Sequence, residues 1–390
     1  MEVASAPVGY AERDRTAQAG GHITAVTVRD FRSYERAELK LGNHLTVIVG
    51  PNGAGKTNLL EALYCGCTGR SFRAAHEREM VRFGASSTRI VVECVAPDGD
   101  HELTVAVVPG EPKRLRIDGA PALSLAETEA RPLLTVFIPD RLELIKGPPA
   151  LRRAHLDQLV AALWPTRLAT RRSYAQALAQ RNALIGRIRS QGGGRASLET
   201  WDLQLAQHGI TLMADRRAAV DAINESFSRT AMELGLDGEA TVLYRPRSKA
   251  HTPEELAAEL RARVESDLER GFTGHGPHRD ELALQRDGRE LRIYGSQGQQ
   301  RLALLALLLC ERTAIARLRG PLPVALLDDV MSELDHERRQ ALTRRLRSDG
   351  GQAVITASER EHVPAIGSSE VTLIAVSPSG KVEVLEPGQT

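Results

Sequence analysis

Cysteine is scarce in this sequence, and the net charge is close to zero. Only 4 of the 390 residues are cysteine, and their positions match neither a CxxC pair nor the Cys/His spacing of a zinc site. This pattern favours a reduced, intracellular protein without structural zinc. The formal net charge of +1 excludes a global electrostatic attraction to nucleic acid or to a membrane surface, so any basic surface must be local.

Long apolar segments are absent as well. No apolar run approaches the roughly 18 residues that a membrane-spanning helix needs, which argues against an integral membrane protein. The N-terminal residues are small and polar and lack the apolar segment of a secretory signal, so we expect a disordered extension over residues 1–21. The chain is nevertheless long and apolar enough, with 42% hydrophobic residues, to bury a core in two or three domains.

The rest of the chain changes character twice. Residues 22–150 and 271–390 contain short apolar or alternating segments typical of strands, mixed with helix patterns. Residues 151–270 contain helix patterns, which break at the glycine run 192–194 and at the polar residues around 245–247. We therefore predict an α/β unit that is split in two by a helical insertion.

The stretch GPNGAGKT fits the phosphate-binding pattern GxxxxGK[ST] and stands between an apolar strand and a helix. Glycines let the backbone curl so that its N–H groups point at phosphate oxygens, and the helix N-terminus adds partial positive charge. Lys56 is expected to neutralise phosphate charge, and the Thr57 hydroxyl to join a Mg²⁺ shell. A chance glycine turn is the alternative. The predicted nucleotide-binding residues are Gly50, Pro51, Asn52, Gly53, Ala54, Gly55, Lys56 and Thr57.

A second apolar strand, LPVALLDDVMSELD, ends in two aspartates. We predict that Asp328 holds Mg²⁺ and that Asp329, one residue farther out, orients or deprotonates the attacking water. Ser332 and Asp335 follow closely, and capping of the next helix is an alternative role for both.

A polar segment, SQGQQR at residues 296–301, directly precedes a leucine-rich helix without a polar face. A helix N-terminus binds anions, but the phosphate loop of the same chain already supplies an anion site. We therefore expect Ser296 and the following N–H groups to cap the γ-phosphate of ATP bound to a second subunit. ATP then holds a dimer together, and hydrolysis releases it.

SQGQQR and LLDDVMSELD together resemble the signature motif, Walker B motif and D-loop of ABC-type ATPases. Within that group the chain is most similar to the RecF family of recombination mediators, which is related to SMC heads. The resemblance begins near residue 23 and extends to the C-terminus. It also includes VTVRDFRSYERAEL, GRSFR, ELIKGPPALRRAHLDQL, YAQALAQRNAL and GPHRDEL.

This resemblance implies an ABC-type, SMC/RecF-like P-loop ATPase head with an inserted helical arm lobe. It implies a cytoplasmic, nucleoid-associated protein that dimerises with ATP and Mg²⁺, hydrolyses ATP slowly with DNA stimulation, and binds single-strand/double-strand junctions and gaps. RecR and RecO would be its partners in loading the recombinase.

The resemblance also implies roles for single residues whose positions match the motifs of the family. Ser296, Gly298 and Gln299 match the signature, and Asp335 lies in the D-loop. Arg32 matches a position that contacts nucleotide in SMC-like heads, although a surface arginine on an edge strand is the alternative. One departure concerns the last motif, where VITASER carries Thr356 to Ser358 instead of the usual histidine, which fits slow turnover.

Residues 151–195 contain nine arginines and a single acidic residue, Asp157. Such a local excess of positive charge on a helical lobe suits sequence-independent contacts with DNA phosphates. A solvated charged face is the alternative. The predicted DNA-contacting residues are Arg167, Arg171, Arg172 and Arg181. The segment GHGPHRD, residues 274–280, is distinctive too, and a structural turn is one interpretation of it.

Three other classes of protein compete with this hypothesis. A transporter-type ABC ATPase subunit would share the signature but not the arginine-rich insertion. A small-molecule P-loop kinase would leave SQGQQR without a role. A nucleotide-gated interaction protein of the same fold would have little catalysis, against which intact Lys56, Asp328 and Asp329 argue.

Overall fold

The structure is a computed structural model that describes residues 21–125, 128–364, 366, 368 and 370–385. The predicted N-terminal extension, residues 1–21, lies outside the described residues apart from Gly21. The strands are β1 His22–Phe31, β2 Tyr34–Lys40, β3 Leu45–Val49, β4 Thr88–Ala96, β5 Gly99–Val107, β6 Arg114–Ile117, β7 Ala120–Ala122, β8 Leu134–Phe137, β9 Ala240–Arg245, β10 Glu281–Arg286, β11 Arg289–Glu290, β12 Val324–Leu327, β13 Ala353–Ala357, β14 Val371–Val376 and β15 Val382–Leu385. The helices are α1 Lys56–Thr68, α2 Glu143–Lys146, α3 Pro149–Leu163, α4 Leu168–Gln191, α5 Ala196–Glu233, α6 Pro253–Arg261, α7 Val264–Arg270, α8 Leu291–Tyr294, α9 Gln297–Arg319 and α10 His336–Ser348.

A mostly parallel sheet forms the middle layer of the head, with the strand order β15-β14-β3-β13-β12-β8. Strands β14, β3, β13, β12 and β8 run parallel to their neighbours, and only β15 is antiparallel. The central strands are buried on both faces, which explains their continuous apolar sequences. The carboxyl ends of β3 and β12 carry the phosphate loop and the two aspartates, so this sheet brings both motifs to one edge.

Each face of the parallel sheet packs on a different layer. Alternate residues such as Val47 and Ile48 enter two separate hydrophobic cores because neighbouring side chains of a strand point to opposite faces. One core contains α1 and the antiparallel sheet β2-β1-β4-β5-β6-β7. The other core contains α3, α5 and the leucine-rich helix α9. The predicted α/β architecture is confirmed, and β4 and β5 pair as an antiparallel hairpin in the second sheet.

The inserted lobe contains the long antiparallel pair α4 and α5, followed by α6 and α7. The predicted break in the helix pattern around residues 245–247 is present, but the residues directly before it form strand β9 and not a helix. This strand pairs with β10 along six residue pairs, from Glu281–Arg245 to Arg286–Ala240. The amide N–H of Val242 also donates to the side-chain oxygen of Asn224 on α5 at 3.0 Å, which fixes the strand to the helix.

The distinctive segment at residues 274–280 joins the lobe to the head. The Asp280 carboxylate accepts hydrogen bonds from the Tyr244 hydroxyl of β9 and from the Arg247 N–H. Arg216 of α5 reaches Asp280 at 3.1 Å and also pairs with Asp157 of α3 at 2.8 Å. Strand β9 and helix α5 thus meet on one buried carboxylate, α3 is linked to it through Arg216, and the segment is structural.

Candidate nucleotide-binding site

The phosphate loop links β3 to α1 in a shape that glycine makes accessible. Gly55 has φ +102°, and a Cβ atom there would lie 2.6 Å from the Tyr34 hydroxyl. A Cβ atom on Gly50 would lie 2.3 Å from the Val376 carbonyl oxygen of β14. Both positions therefore exclude larger residues, and the loop curls tightly over the N-terminus of α1.

Lys56 is buried and folds back over its own loop. Its Nζ donates to the carbonyl oxygens of Gly50 at 2.7 Å and Pro51 at 3.0 Å. Burial lowers the pKa of this lysine, whereas the nearby charges of Asp329 and Asp328 raise it. The ammonium group is thus held inside the loop, where a phosphate would take over these hydrogen bonds.

Two hydroxyls converge on Asp328 at the end of β12. Thr57 Oγ1 lies 2.9 Å and 2.8 Å from the two carboxylate oxygens, and Thr356 Oγ1 of β13 donates to Oδ1 at 2.7 Å. Burial raises the pKa of Asp328, and the hydrogen bonds from Thr356 and Thr57 oppose that shift. A hydroxyl and a carboxylate at a phosphate loop are the oxygen ligands that Mg²⁺ prefers, so the residues present fit this ion.

Asp329 adopts a left-handed backbone conformation with φ +47°. A residue with a side chain is strained by this conformation, so the surrounding contacts must hold it. Its N–H donates to Thr356 Oγ1 at 2.8 Å, and the Ser332 hydroxyl donates to its carbonyl oxygen at 2.8 Å. The main chain of Asp329 is therefore fixed beside the phosphate loop.

The predicted nucleotide and metal residues line a common cleft of about 240 Å³. Asn58 and Arg73 line it too, and sequence reasoning assigned no role to either. Arg73 donates to Asn58 Oδ1 at 3.2 Å, and its charge lowers the pKa of Asp328. The signal available was the motif GRSFR, whose last residue is Arg73. The predicted residues in the lining are Asn52, Gly53, Gly55, Lys56, Thr57, Asp328 and Asp329.

The other members of the phosphate loop lie around this cleft. Gly50 and Pro51 line a second cleft of about 420 Å³, which also contains Ser358 and Lys381. Ala54 is buried. The loop therefore separates two open spaces, and the phosphate-facing residues lie on the side of the aspartates.

Arg32 lies in an ion pair beside α1. Its guanidinium binds both carboxylate oxygens of Glu61, at 2.9 Å and 2.6 Å, and donates to the Glu79 carbonyl oxygen at 2.7 Å. Glu61 is fully buried, so Arg32 compensates a buried charge. A contact between Arg32 and nucleotide stays a prediction.

The signature residues do not line the cleft of their own chain. Ser296 caps α9: its hydroxyl accepts from the Gln299 N–H at 3.3 Å, and the Gln299 side chain accepts from the Ser296 N–H at 2.9 Å. This capping box is exposed, and Gly298 lies beside it on the first turn. Asp335 caps α10 with its side chain, which accepts from the Arg338 N–H at 2.9 Å.

Three of the four arginines expected to contact DNA have acidic partners on other helices. Arg167 pairs with Asp215 at 3.0 Å, and Arg171 pairs with Asp157 at 3.2 Å. Both arginines remain partly exposed, as does Arg172. The local excess of positive charge is therefore smaller in the folded lobe than in the linear sequence.

Arg181 corrects the predicted set of DNA contacts. Its side chain has no exposed surface and pairs with Asp202 and Asp267, both at 2.7 Å. It also donates to the Thr273 hydroxyl at 2.8 Å. A guanidinium enclosed by α4, α5 and α7 cannot reach a phosphate, so the prediction of a DNA contact at Arg181 was wrong.

The three-layer fold, the phosphate loop facing paired aspartates and the separate signature helix define a P-loop ATPase head of the ABC type. A family model described as "AAA domain" matches residues 25–93. A solved Smc head domain of Pyrococcus furiosus supports the fold, with a TM-score of 0.58, 17% identity and coverage of 94% of this chain and 96% of that one.

Comparison with curated relatives narrows the class to one family. The DNA replication and repair protein RecF of Myxococcus xanthus is 35% identical over 375 residues, which cover 93% of this chain and 97% of the relative. The protein of the same description from an Anaeromyxobacter species is 36% identical over 88% of this chain and 95% of its own length. The chain belongs to the RecF family.

A solved structure is similar to this chain over nearly the whole length of both proteins. It is described as the recombination mediator protein RecF with ATP in the RecFOR pathway, and it has a TM-score of 0.82 and 28% identity to this chain. The match covers 96% of this chain and 100% of that one. The helical lobe and both parts of the head are therefore included in the similarity. Among the helices of the described residues, none is long and apolar enough to cross a membrane.

Proposed function

We propose that this chain is an ATP-dependent DNA-binding protein of recombinational repair and replication maintenance. ATP and Mg²⁺ drive its dimerisation on gapped or junction DNA, slow hydrolysis releases the dimer, and the complex supports recombinase loading together with RecR and RecO. The observation that carries the proposal is the incomplete site: phosphate and metal groups are assembled in one cleft, and the signature residues do not line it. The similar solved structure that is described as RecF with ATP in the RecFOR pathway supports the proposal.

The chain's own residues account for binding and for the hydrolytic step. Backbone N–H groups of the loop and Lys56 would hold the phosphates, and Thr57 and Asp328 would hold Mg²⁺, which offsets negative charge on the phosphates. A water oxygen attacks the γ-phosphorus, its proton passes to Asp329, and the β–γ bridging bond breaks with its electron pair on ADP. Thr356 holds both aspartates in place, through the Asp328 carboxylate and the Asp329 N–H.

A second copy of the chain would complete the site. Ser296 is exposed at the N-terminus of a helix of 23 residues whose remaining length is largely buried. An ion pair at 2.5 Å between Arg301 and Glu333 ties the start of this helix to the segment after Asp329. The exposed N-terminus of the helix can therefore present N–H groups to a γ-phosphate on a partner without rearrangement of the buried part of the helix.

DNA contacts belong to the same proposal. Arg167, Arg171 and Arg172 lie on the lobe, and their partly exposed guanidinium groups suit phosphate contacts. Arg167 also stacks on the Trp164 ring, with 4.1 Å between the guanidinium carbon and the ring centroid. Binding through phosphates would be independent of sequence and would weaken as salt increases.

Light scattering with and without ATP–Mg²⁺ tests the shared site. We expect the wild type to change from monomer to dimer, and Ser296→Arg to bind ATP but remain monomeric, because a bulky cation blocks the contact. Asp329→Asn should keep the dimer together longer, because it removes the base. Ser190→Arg, an equal change at an exposed serine of the lobe, is the control and should dimerise.

The alternatives make different predictions in the same measurement. A wild type that stays monomeric at saturating ATP, with DNA present as well as absent, would contradict the shared site and favour a P-loop kinase or an interaction protein. Dimerisation without any hydrolysis would favour a nucleotide-gated interaction protein. Association with membranes would favour a transporter-type subunit.

A further inference from the structure

The carboxyl end of β13 carries a serine that joins two parts of the nucleotide site. Ser358 Oγ lies 3.1 Å from the side-chain oxygen of Asn52 in the phosphate loop. It also lies 3.3 Å from Oδ1 of Asp329. These residues are 306 and 29 positions away from Ser358 along the chain, so the fold alone brings the three side chains together.

The donors and acceptors available on the three side chains determine which group donates each hydrogen bond. A serine hydroxyl has one proton, and a carboxylate accepts only, so Ser358 must donate to Asp329 if that bond is made. The amide of Asn52 then satisfies its bond to Ser358 by donating through its nitrogen, which requires a half turn of the amide plane. The result is a chain in which the amide donates to the hydroxyl and the hydroxyl donates to the carboxylate.

The rest of Asp329 is already immobilised. Its N–H is bound by Thr356 Oγ1 and its carbonyl oxygen by Ser332, so the main chain is held at both ends of the residue. The carboxylate group can still rotate about the side-chain bonds of Asp329. Among the hydrogen bonds that the structure describes to the Asp329 carboxylate oxygens, the one from Ser358 restrains that rotation.

We propose that Ser358 is a positioning residue that couples the phosphate loop to Asp329. Its hydroxyl ties the carboxylate to Asn52. When phosphate oxygens compete for the Asn52 amide, the Ser358 hydroxyl keeps its single proton for Asp329 and orients that carboxylate toward the attacking water. The inference rests on the proposed function, because it assigns a role in ATP hydrolysis at the same site.

The surroundings of Ser358 allow a sharp test. The cleft of about 420 Å³ opens beside it, so the extra methyl group of threonine has space. Ser377 lines the same cleft and bonds to the Ser379 hydroxyl at 2.8 Å. Ser358→Thr therefore keeps the hydroxyl, Ser358→Ala removes it, and Ser377→Ala is a matched control in the same cleft.

Single-turnover ATP hydrolysis with gapped DNA, together with the Kd for ATP, tests the role. Ser358→Ala should hydrolyse roughly tenfold more slowly, as for loss of a hydrogen bond to a charged group, while its Kd changes less than about twofold. Ser358→Thr should recover most of the rate, and Ser377→Ala should match the wild type. In an Asp329→Asn background, Ser358→Ala should cause no further loss of rate, because the group that it positions has changed.

A wild-type rate in Ser358→Ala would overturn the proposal, and so would equal losses in rate and ATP affinity. Absence of hydrolysis in the wild type would instead count against the proposed function. In that event, denaturation midpoints measured without nucleotide test whether Ser358 is coupled to Asp329. A double-mutant cycle between Ser358→Ala and Asp329→Asn should be non-additive, and additive shifts would overturn the coupling.

Discussion

At the scale of single residues, buried arginines hold the helical lobe together. Arg181 and Arg216 are almost completely removed from solvent, and each reaches carboxylates on two different segments. A buried charge is costly unless its partners have good geometry and further hydrogen bonds satisfy it. Both acidic partners of Arg181, Asp202 and Asp267, lie outside residues 151–195, so a count of charges along that segment does not include them.

Arg181 and Arg171 allow the structural and DNA-binding roles to be separated. Arg181→Ala should lower the free energy of unfolding by about 3–5 kcal/mol, because it leaves the Asp202 and Asp267 carboxylates buried without compensation. Arg171→Ala should change stability by less than about 1 kcal/mol, because the Arg171 side chain is half exposed and Asp157 keeps its pair with Arg216. Urea denaturation measures both.

DNA binding should show the opposite order. With folded protein, Arg171→Ala should lower the slope of log Kd against log salt by about 0.9 if one phosphate contact is lost. Arg181→Ala should leave that slope unchanged under conditions in which the variant is folded. A reduced slope in Arg181→Ala alone would contradict the assignment of Arg181 to the core of the lobe.

At the scale of elements, the segment between α7 and β10 locks α4 against the head. His278 Nδ1 lies 2.8 Å from the Tyr174 hydroxyl of α4, and Nε2 lies 2.9 Å from the Thr273 carbonyl oxygen. A carbonyl accepts only, so Nε2 carries the proton and Nδ1 accepts from Tyr174. Burial lowers the pKa of His278 to about 4, with charges of Arg279 and Arg153 acting in the same direction.

Stability should therefore depend on pH through His278. The unfolded histidine takes up a proton below about pH 6.5, whereas the folded one does so only near pH 4. Its contribution is complete above pH 6.5 and is lost as the pH falls from 6.5 to 4, at a cost of about 2 kcal/mol at pH 5. Urea denaturation at pH 7 and pH 5 measures this loss.

His278→Gln provides the comparison. It should be less stable than the wild type at pH 7, because the bonds to Tyr174 and Thr273 are altered. The difference between the two proteins should shrink by about 2 kcal/mol at pH 5, because only the wild type has this histidine to protonate. An unchanged difference at pH 5 would show that His278 does not titrate as its burial requires.

The elements differ in how far sequence predicts them. Strands β3, β12 and β13 were predictable because a strand covered on both faces is apolar throughout, and the phosphate loop because its motif is local. Strand β9 was missed because it is short and stabilised by β10, which lies about 40 residues later in the chain. Arg73 and Thr356 likewise gained their roles from contacts across the fold.

At the scale of the whole molecule, the proposed shared site needs two groups of residues that do not line one cleft in a single chain. Lys56 and Asp329 line one cleft, and Ser296 caps α9 outside that lining. In a twofold dimer each phosphate loop would face the signature of the partner, which gives two shared sites. In a dimer of one variant, both shared sites carry the substitution. In a mixed dimer, a substitution near the phosphate loop of one chain and a substitution in the signature of the other chain fall in the same shared site, and the second site is undamaged.

Equimolar mixing of Lys56→Ala and Ser296→Arg should restore DNA-stimulated ATP hydrolysis that neither variant has alone. In the mixed dimer, one shared site carries both substitutions and the other carries neither, so a partial recovery of at most about half of the wild-type rate is expected if the two sites act independently. Lys56→Ala mixed with Asp329→Asn is the control: both residues belong to the same group, every shared site stays damaged, and no activity should return. A mixture of the first pair that stays as inactive as the control would contradict two independent shared sites, because complementation needs one undamaged pair of groups.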